Sequence, residues 1–372
     1  MKIIFYILFF SSFALSQTFN DKLLYITSNK IDLNYAYQSL KIGNDKLEQL
    51  SLPVNILIPI TSHLSLDLWN GSALTKFIGN EIKSIGETRL GVKYIFPSEK
   101  FMIKALIGLP TGKTKFSDEE FLISQLISLN PLGYPISYYS QGLNVNLSLI
   151  YAYPISKNFV LGLGCAYNYK GNYYPKETTD MGKFDPGDEI ISDFGFDVKI
   201  SKKIKFNFDF VYTVFAKDKI GDIEVFKMGN KISLYTGLNY IIGITNNNLF
   251  VIYRKKSNNK LLSENSTEEL ASGAQIDMNY LFELLLNTQL TPYLVFDGKI
   301  YQSADQLLNG ELVHTGKSTV LGFGLGLRYN TIDFLQTEVY YIFKTGDIVL
   351  PPSTEKLNIS GSKIGCNLLF RF

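Results

Sequence analysis

Residues 108–114 read GLPTGKT, a glycine-flanked loop that closes on Lys113 and Thr114. Its chemistry would be phosphate binding. In a Walker A loop, G-x-x-x-x-G-K-[ST], backbone N–H groups wrap the phosphates and a helix opens at once. Only Leu109, Pro110 and Thr111 separate Gly108 from Gly112, so this loop is one residue short. A second candidate is FDPGDE at 184–189, where Asp185, Asp188 and Glu189 surround a glycine. Carboxylates so spaced can hold calcium, but the twelve-residue EF-hand pattern is missing. A solvated acidic loop accounts for them as well. The only histidines are His63 and His314. Catalysis by an imidazole base needs a nucleophile within hydrogen-bond reach. These two fall on opposite sides of the architecture derived below, so they share neither a catalytic nor a metal site. The expectation is no enzyme, no cofactor and no metal. A carboxylate-only hydrolase stays open, but no acidic pair singles itself out.

The elements that carry these residues are strands. From Ile204 to Val214, Ile204, Phe206, Phe208, Phe210, Tyr212 and Val214 alternate with Lys205, Asn207, Asp209, Val211 and Thr213. Strict period-2 alternation means a strand with one apolar and one polar face. The same pattern fits 88–96, 101–109, 143–153, 159–169, 190–200 and 319–329. Such runs of about ten residues suit a tilted crossing of a bilayer, whereas ordinary strands average about five or six. Cys165 and Cys366 fall on apolar faces and read as small lipid-facing residues, not as a disulfide framework.

The connections alternate too. Short turns, PSEK (97–100), SKK (201–203) and TNNN (245–248), are interleaved with long polar segments near 110–139, 170–189, 216–230, 256–272, 299–317 and 344–356. Short periplasmic turns alternating with long external loops characterise outer-membrane barrels. The expected fold is all-β, a transmembrane antiparallel up-and-down barrel. The runs at 249–255 and 283–300 divide in two ways, giving about sixteen strands or fourteen. Closure follows from physics, because each unpaired backbone group in hydrocarbon costs several kcal/mol. His63 then lies in a short periplasmic turn and His314 in an external loop.

The ends agree with export. Lys2 precedes an apolar run, Ile3 to Leu15, too short to span a bilayer as a helix. Ala14 and Ser16 are small residues suited to cleavage after Ser16, which marks 1–16 as a signal peptide. Residues 17–372 are expected to form one outer-membrane barrel domain, with lipid and lipopolysaccharide around it. The final strand ends on Phe370 and Phe372, the type of terminus that barrel-assembly machinery recognises. With 36 basic and 34 acidic residues there is no basic footprint for nucleic acid.

The polar faces place Asp67, Glu87, Arg89, Lys93, Lys104, Asp193, Asp197, Lys199, Lys205, Asp209, Asp277, Arg328, Glu338, Lys363 and Arg371 in the lumen. On the lipid face each would cost up to about 2–4 kcal/mol near the midplane. They either fill a narrow barrel with salt bridges or line a wetted channel whose charge biases selectivity. Loop 110–139 is the longest. Ser117 and Glu120 match a capping box, and Phe121, Leu122, Gln125, Leu126 and Leu129 share one helical face. This helix is expected at or in the mouth, narrowing the pore, or else resting on the rim.

The strand LGVKYIF (90–96), a tight turn, and a strand ending in GLPTGK resemble the outer-membrane channels linked to phenol meta-cleavage, within the wider FadL-like group. The match covers roughly residues 50–170. The resemblance implies a channel for small hydrophobic or aromatic compounds. The chain departs from FadL itself: residues 17–30 are all that is expected before the first strand, too few for an N-terminal plug, and there is no Asn-Pro-Ala near the mature start. The alternative function is a structural or surface-interaction barrel with a filled lumen.

Overall fold

The computed structural model describes residues 28–177, 182–263, 266–287, 289–302, 304–308, 311–314, 316–332, 334–350 and 355–372. The expected signal peptide lies outside them. In chain order the elements are β1 (Lys30–Ile42), β2 (Asp45–Pro59), β3 (Leu64–Phe77), β4 (Asn80–Ile85), β5 (Thr88–Ile95), β6 (Phe101–Leu109), α1 (Asp118–Ser128), β7 (Asn144–Ser156), β8 (Phe159–Lys170), β9 (Phe184–Asp185), β10 (Glu189–Ser201), β11 (Ile204–Phe215), β12 (Lys217–Ile220), β13 (Ile223–Lys227), β14 (Lys231–Ile242), β15 (Thr245–Lys256), β16 (Asn259–Leu262), β17 (Thr267–Leu270), β18 (Gln275–Leu284), β19 (Leu290–Tyr301), β20 (Asp305–Leu308), β21 (Glu311–His314), β22 (Ser318–Ile332), β23 (Leu335–Val349) and β24 (Lys356–Arg371).

Sixteen of these strands close an antiparallel up-and-down barrel. Each pairs with the next barrel strand, and β24 returns to β1 in unbroken register from Lys30 opposite Arg371 to Ile42 opposite Ile359. No barrel edge is left to be solvated by lipid. β4 is an extra strand that pairs with the upper half of β3 outside the ring. The short strands β9, β12, β13, β16 and β17 form a separate sheet beyond the long-connection end, and β20 pairs with β21. All the long connections lie at this loop end, and the short turns at the opposite, turn end.

The alternation sorts the faces. On β11, Asp209, Val211, Thr213 and Phe215 are buried inward, while Phe206, Phe208 and Phe210 look out. The outer wall presents a continuous apolar band that includes Leu90, Val92, Ile103, Leu147, Leu163, Phe194 and Leu325. A water-soluble protein rarely exposes an apolar patch beyond a few hundred Å², so this band is a lipid surface. Near the turn end, aromatic rings meet around the outside: Tyr94 with Phe96 (5.2 Å between centroids), Phe101 with Tyr151 (4.6 Å), Phe159 with Phe196 (5.8 Å) and Phe334 with Phe372 (6.3 Å). Amphipathic rings of this kind gather where a barrel leaves hydrocarbon for the headgroups. Cys165 and Cys366 are free thiols on this outer face.

Two expected boundaries move. Residues 245–248 are not a turn: Thr245 opens β15, and the chain reverses at Gly243 and Ile244, with Gly243 at φ 56°. Asn246 and Asn248 point inward, and each accepts from Asn239 Nδ2, at 2.8 and 2.6 Å. Turn-type residues here build a lumen ladder. Residues 344–349 belong to β23, so its loop starts later than the polarity implies.

Candidate functional site

The lumen is divided by the segment that follows β6, and GLPTGKT is its root. Gly108 faces inward, where a Cβ would sit 2.6 Å from the Glu87 carboxylate. At Gly112 a Cβ would lie 2.5 Å from the Ile85 carbonyl oxygen and 2.6 Å from that of Tyr139. Glycine therefore lets three backbones converge. Thr111 Oγ1 accepts from the Thr88 N–H (2.9 Å) and donates to the Gly86 carbonyl (2.9 Å). The Lys113 ammonium is held by the Glu120 carboxylate at 2.6 Å. The helix opens at Asp118, not at the lysine. Thr111 and Lys113, the motif's anchoring polar residues, thus position the segment that follows, so it is a loop anchor rather than a phosphate cradle.

Ser117 and Glu120 form the capping box, with Glu120 N–H donating to Ser117 Oγ and Ser117 N–H to Glu120 Oε2. α1 buries Ile123, Leu126 and Ile127, one face at i, i+3 and i+4 spacing. The expected face is rotated: Leu122 is 47% exposed, and Phe121 and Leu129 pack only in part. The tilt follows from where the chain goes next. Residues 129–139 turn down inside the barrel, and Leu132, Tyr134, Ile136 and Tyr139 are fully enclosed. They pack on inward residues of β1 to β3 (Leu40, Ile42, Leu47, Ala73 and Phe77).

The docking is polar as well as apolar. Gln49 Nε2 donates to the Ile136 carbonyl (2.8 Å), and its Oε1 accepts from the Ile136 N–H (3.0 Å). Gln38 donates to the Leu132 carbonyl (2.8 Å), and Tyr134 to that of Leu47 (2.7 Å). Thr75 and Tyr139 share a 2.6 Å hydrogen bond. Arg89 lies between the rings of Trp69 and Tyr138, 5.2 and 5.4 Å from their centroids. Across the lumen, Lys299 and Lys344 donate to the carbonyls of Asn130 (3.0 Å) and Leu132 (2.9 Å). Irregular backbone is tolerated at membrane depth only where protein satisfies it, and these bonds do so. Gly71 completes the seat, since a Cβ there would meet Ile136 Cδ1 at 2.4 Å.

Beside the docked segment runs one continuous cavity of about 1430 Å³. Its lining reaches from Asn259, Gly273 and Gln302 at the loop end to Lys157, Asn158 and Leu285 at the turn end. Apolar side chains form a stripe on its wall, with Tyr235 stacked on Phe250 (6.4 Å) and Ile252 beside them. Eight cationic side chains line it, Lys157, Lys199, Lys205, Arg254, Lys256, Lys299, Lys344 and Lys363, against three carboxylates, Asp197, Asp277 and Asp297.

The sequence-predicted lumen residues divide accordingly. Asp197, Lys199, Lys205, Asp277 and Lys363 line the cavity. The others lie on inward positions away from it. Glu87 pairs with Arg89 (2.8 Å), Lys104 reaches Asp67 (3.9 Å), and Arg328 bridges Glu283 (2.6 Å) and Glu338 (3.7 Å). Lys93 lies directly opposite Lys104. Asp193 and Asp209 sit on β10 and β11. Arg371 is exposed at the turn-end rim, outside the cavity. Salt bridges thus occupy one part of the inner wall, and the charges that line the cavity occupy another. The residues that seat the loop (Gln38, Gln49, Thr75, Lys299 and Lys344) are absent from the predicted set. The available signal was the apolar inward trio Leu40, Ile42 and Leu47, which only a covering segment could bury.

The remaining candidates stay apart. His63 hydrogen-bonds Ser62 (2.8 Å) in a turn-end loop, whereas His314 ends β21 at the loop end. In FDPGDE, Asp188 accepts from the Lys170 N–H (2.9 Å) and Glu189 pairs with Lys170 Nζ (2.6 Å), so these carboxylates clasp β8 instead of converging. Among the described residues no three His, Cys, Asp or Glu side chains are grouped to hold a metal ion.

No known family's sequence profile matches the chain, and no curated protein sequence does. Solved structures do match along nearly the whole length. A bacterial polysaccharide outer membrane secretin is 10% identical, with 92% of this chain and 98% of that one covered at a TM-score of 0.49. The monoaromatic hydrocarbon channel TodX, as a deletion mutant, is 10% identical over 93% and 90%, TM-score 0.44. An outer membrane channel from Pseudomonas putida F1 is 7% identical over 93% and 96%, TM-score 0.40. These are likenesses of fold at identities too low to carry a solute or a residue's role across.

Proposed function

We propose that the chain is an outer-membrane channel through which small solutes with apolar or aromatic bodies diffuse passively. The observation that carries this reading is the continuous cavity, lined from one rim to the other, beside a loop docked inside the barrel. A barrel built only as a scaffold gains nothing from such a void, whereas a diffusion channel needs one narrowed enough to select. The stripe of Tyr235, Phe250 and Ile252 supplies the apolar surface that suits an aromatic body. The direct test is osmotic swelling of proteoliposomes holding the folded chain. Flux of neutral aromatic solutes above that of empty liposomes is expected. Flux no higher than the empty control would leave the scaffold reading in its place.

The outer band serves the bilayer in the same proposal, with lipopolysaccharide in the external leaflet. Phe370 and Phe372, stacked at 6.3 Å at the end of the closing strand, serve the assembly machinery. Truncating Phe372 should lower the amount of barrel in the outer membrane while leaving folding in detergent intact. Unchanged assembly would remove that role.

A further inference from the structure

We infer that the cavity selects small organic anions with an apolar body, such as aromatic carboxylates, over neutral or cationic solutes of the same size. The inference rests on the channel reading above and names its solute class.

The first observation is the sign of the lining, with cations outnumbering carboxylates along the full height of the cavity. Arg254 and Asp277 neutralise each other at 2.5 Å, which leaves seven cations against two carboxylates. The second observation is the placement of the cations. On β10 and β11, Lys199 lies directly opposite Lys205, both on the inward face near the turn end. At the loop end, Lys256 of the lining lies directly opposite Lys231, which stands outside the lining. Like charges in direct register weaken a sheet, so such pairs are a cost to the fold. A positive lumen gives that cost a purpose. The third is the lack of direct ion pairs. Among the described residues, Lys205, Lys256 and Lys363 have no carboxylate within 4 Å, although the same lumen pairs Lys104 and Arg328 with acids elsewhere. Lys363 has instead the Tyr340 ring, 5.4 Å away.

A low-dielectric wall focuses the field of such charges into the aqueous gap and concentrates the counter-ion there. The apolar stripe lies on β14 and β15, and β15 also carries Lys256. A carboxylate can therefore meet a cation while its ring lies against Tyr235 and Phe250. Neutral aromatics would use only the stripe, and aromatic amines would meet repulsion.

The test is a reversal-potential measurement in a potassium chloride gradient across a planar bilayer. It is followed by flux of benzoate, benzyl alcohol and benzylamine into proteoliposomes. Chloride is expected to be favoured several-fold over potassium, with benzoate crossing fastest and benzylamine slowest. The variants are Lys205→Glu and Lys363→Gln, which leave the loop contacts of Lys299 and Lys344 in place, with Lys363→Arg as the control. Each of the first two should move the reversal potential toward zero and narrow the benzoate advantage, while the control keeps both. Folding is read from heat-dependent gel mobility. Absence of conductance in the folded wild type would overturn the channel reading itself. Conductance with no chloride preference, or with benzylamine as fast as benzoate, would overturn the anion inference and leave the channel standing.

Discussion

On β1 to β3, inward positions toward the loop end carry Leu40, Ile42, Leu47, Ala73, Gln38, Gln49 and Thr75, none of them charged and all buried. On β10 to β19 the inward positions of the cavity carry Asp197, Lys199, Lys205, Arg254, Asp277 and Lys299. The strands on both sides are alike in length and outer face. The difference lies in what each side faces. One wall meets a polypeptide segment that repays burial with packing and hydrogen bonds. The other borders the cavity, where Arg254 is held by Asp277 and Lys299 reaches the far side of the loop at the Asn130 carbonyl. A sixteen-stranded ring is too wide for its own side chains to fill. Here one loop fills part of it, and the cavity is the part left unfilled.

Removing the segment should collapse this asymmetry, with the largest effect of any change considered. Replacing residues 117–139 by a short Gly-Ser bridge leaves every barrel hydrogen bond in place, because β6 and β7 already pair from Phe101 opposite Tyr151 to Gly108 opposite Asn144. Single-channel conductance should rise several-fold and selectivity should fall. Unchanged conductance in a folded barrel would mean that the loop does not set the narrow point.

A subtler break is Gly71→Val. Its side chain would occupy the space of Ile136, and overpacking of this kind costs about 1–3 kcal/mol. The docked wall would then release residues 131–139 part of the time, seen as frequent transitions to a higher-conductance state. Adding Ile136→Ala should return the quiet trace. Failure of that second change to do so would show that Gly71 acts elsewhere than at the seat.

This asymmetry also marks the limit of what could be read in advance. The strands and their faces follow from period-2 alternation, since a β-strand of about ten residues carries its own two-sided record, and closure follows from the cost of an unpaired edge in hydrocarbon; the choice of sixteen over fourteen needed the pairing of β15, β18 and β19. Helix α1 was legible because Ser117 and Glu120 cap it locally. The seat was not, because its partners are far apart along the chain. Gln38 bonds residue 132 and Gln49 bonds residue 136, and in both cases the partner is a backbone group that has no side-chain signature. Asn246 and Asn248 misled for the opposite reason: asparagine favours turns, and only the register with β14 shows that they form a ladder in the lumen.

Gln49→Leu sharpens the comparison from the same wall. The substitution keeps bulk and apolar contact but leaves the Ile136 N–H and carbonyl unpartnered by the side chain. A buried polar group left unsatisfied costs about 1–3 kcal/mol. Open-state occupancy should increase, by less than in the deletion because the apolar seat is retained. No change in channel noise would place the docking energy in packing alone.

The smallest effect is expected at the residue that first suggested chemistry. Lys113→Ala removes an ion pair with Glu120 whose partners are 32% and 18% exposed, and partly solvated pairs contribute at most about 1 kcal/mol. The helix keeps its Ser117 cap, and Thr111 keeps its bonds to Thr88 and Gly86, so the loop root should hold. Conductance should stay within the scatter of the wild type, with a slight increase in brief openings. Were GLPTGKT a phosphate loop, the same substitution would instead abolish nucleotide binding, because the lysine would be the charge that meets the phosphates. Titration of the folded wild type with ATP therefore tests the assignment. Saturable binding lost in Lys113→Ala would return the motif to phosphate chemistry, whereas no binding in either protein, with nearly unchanged conductance, is what a structural root for the loop requires.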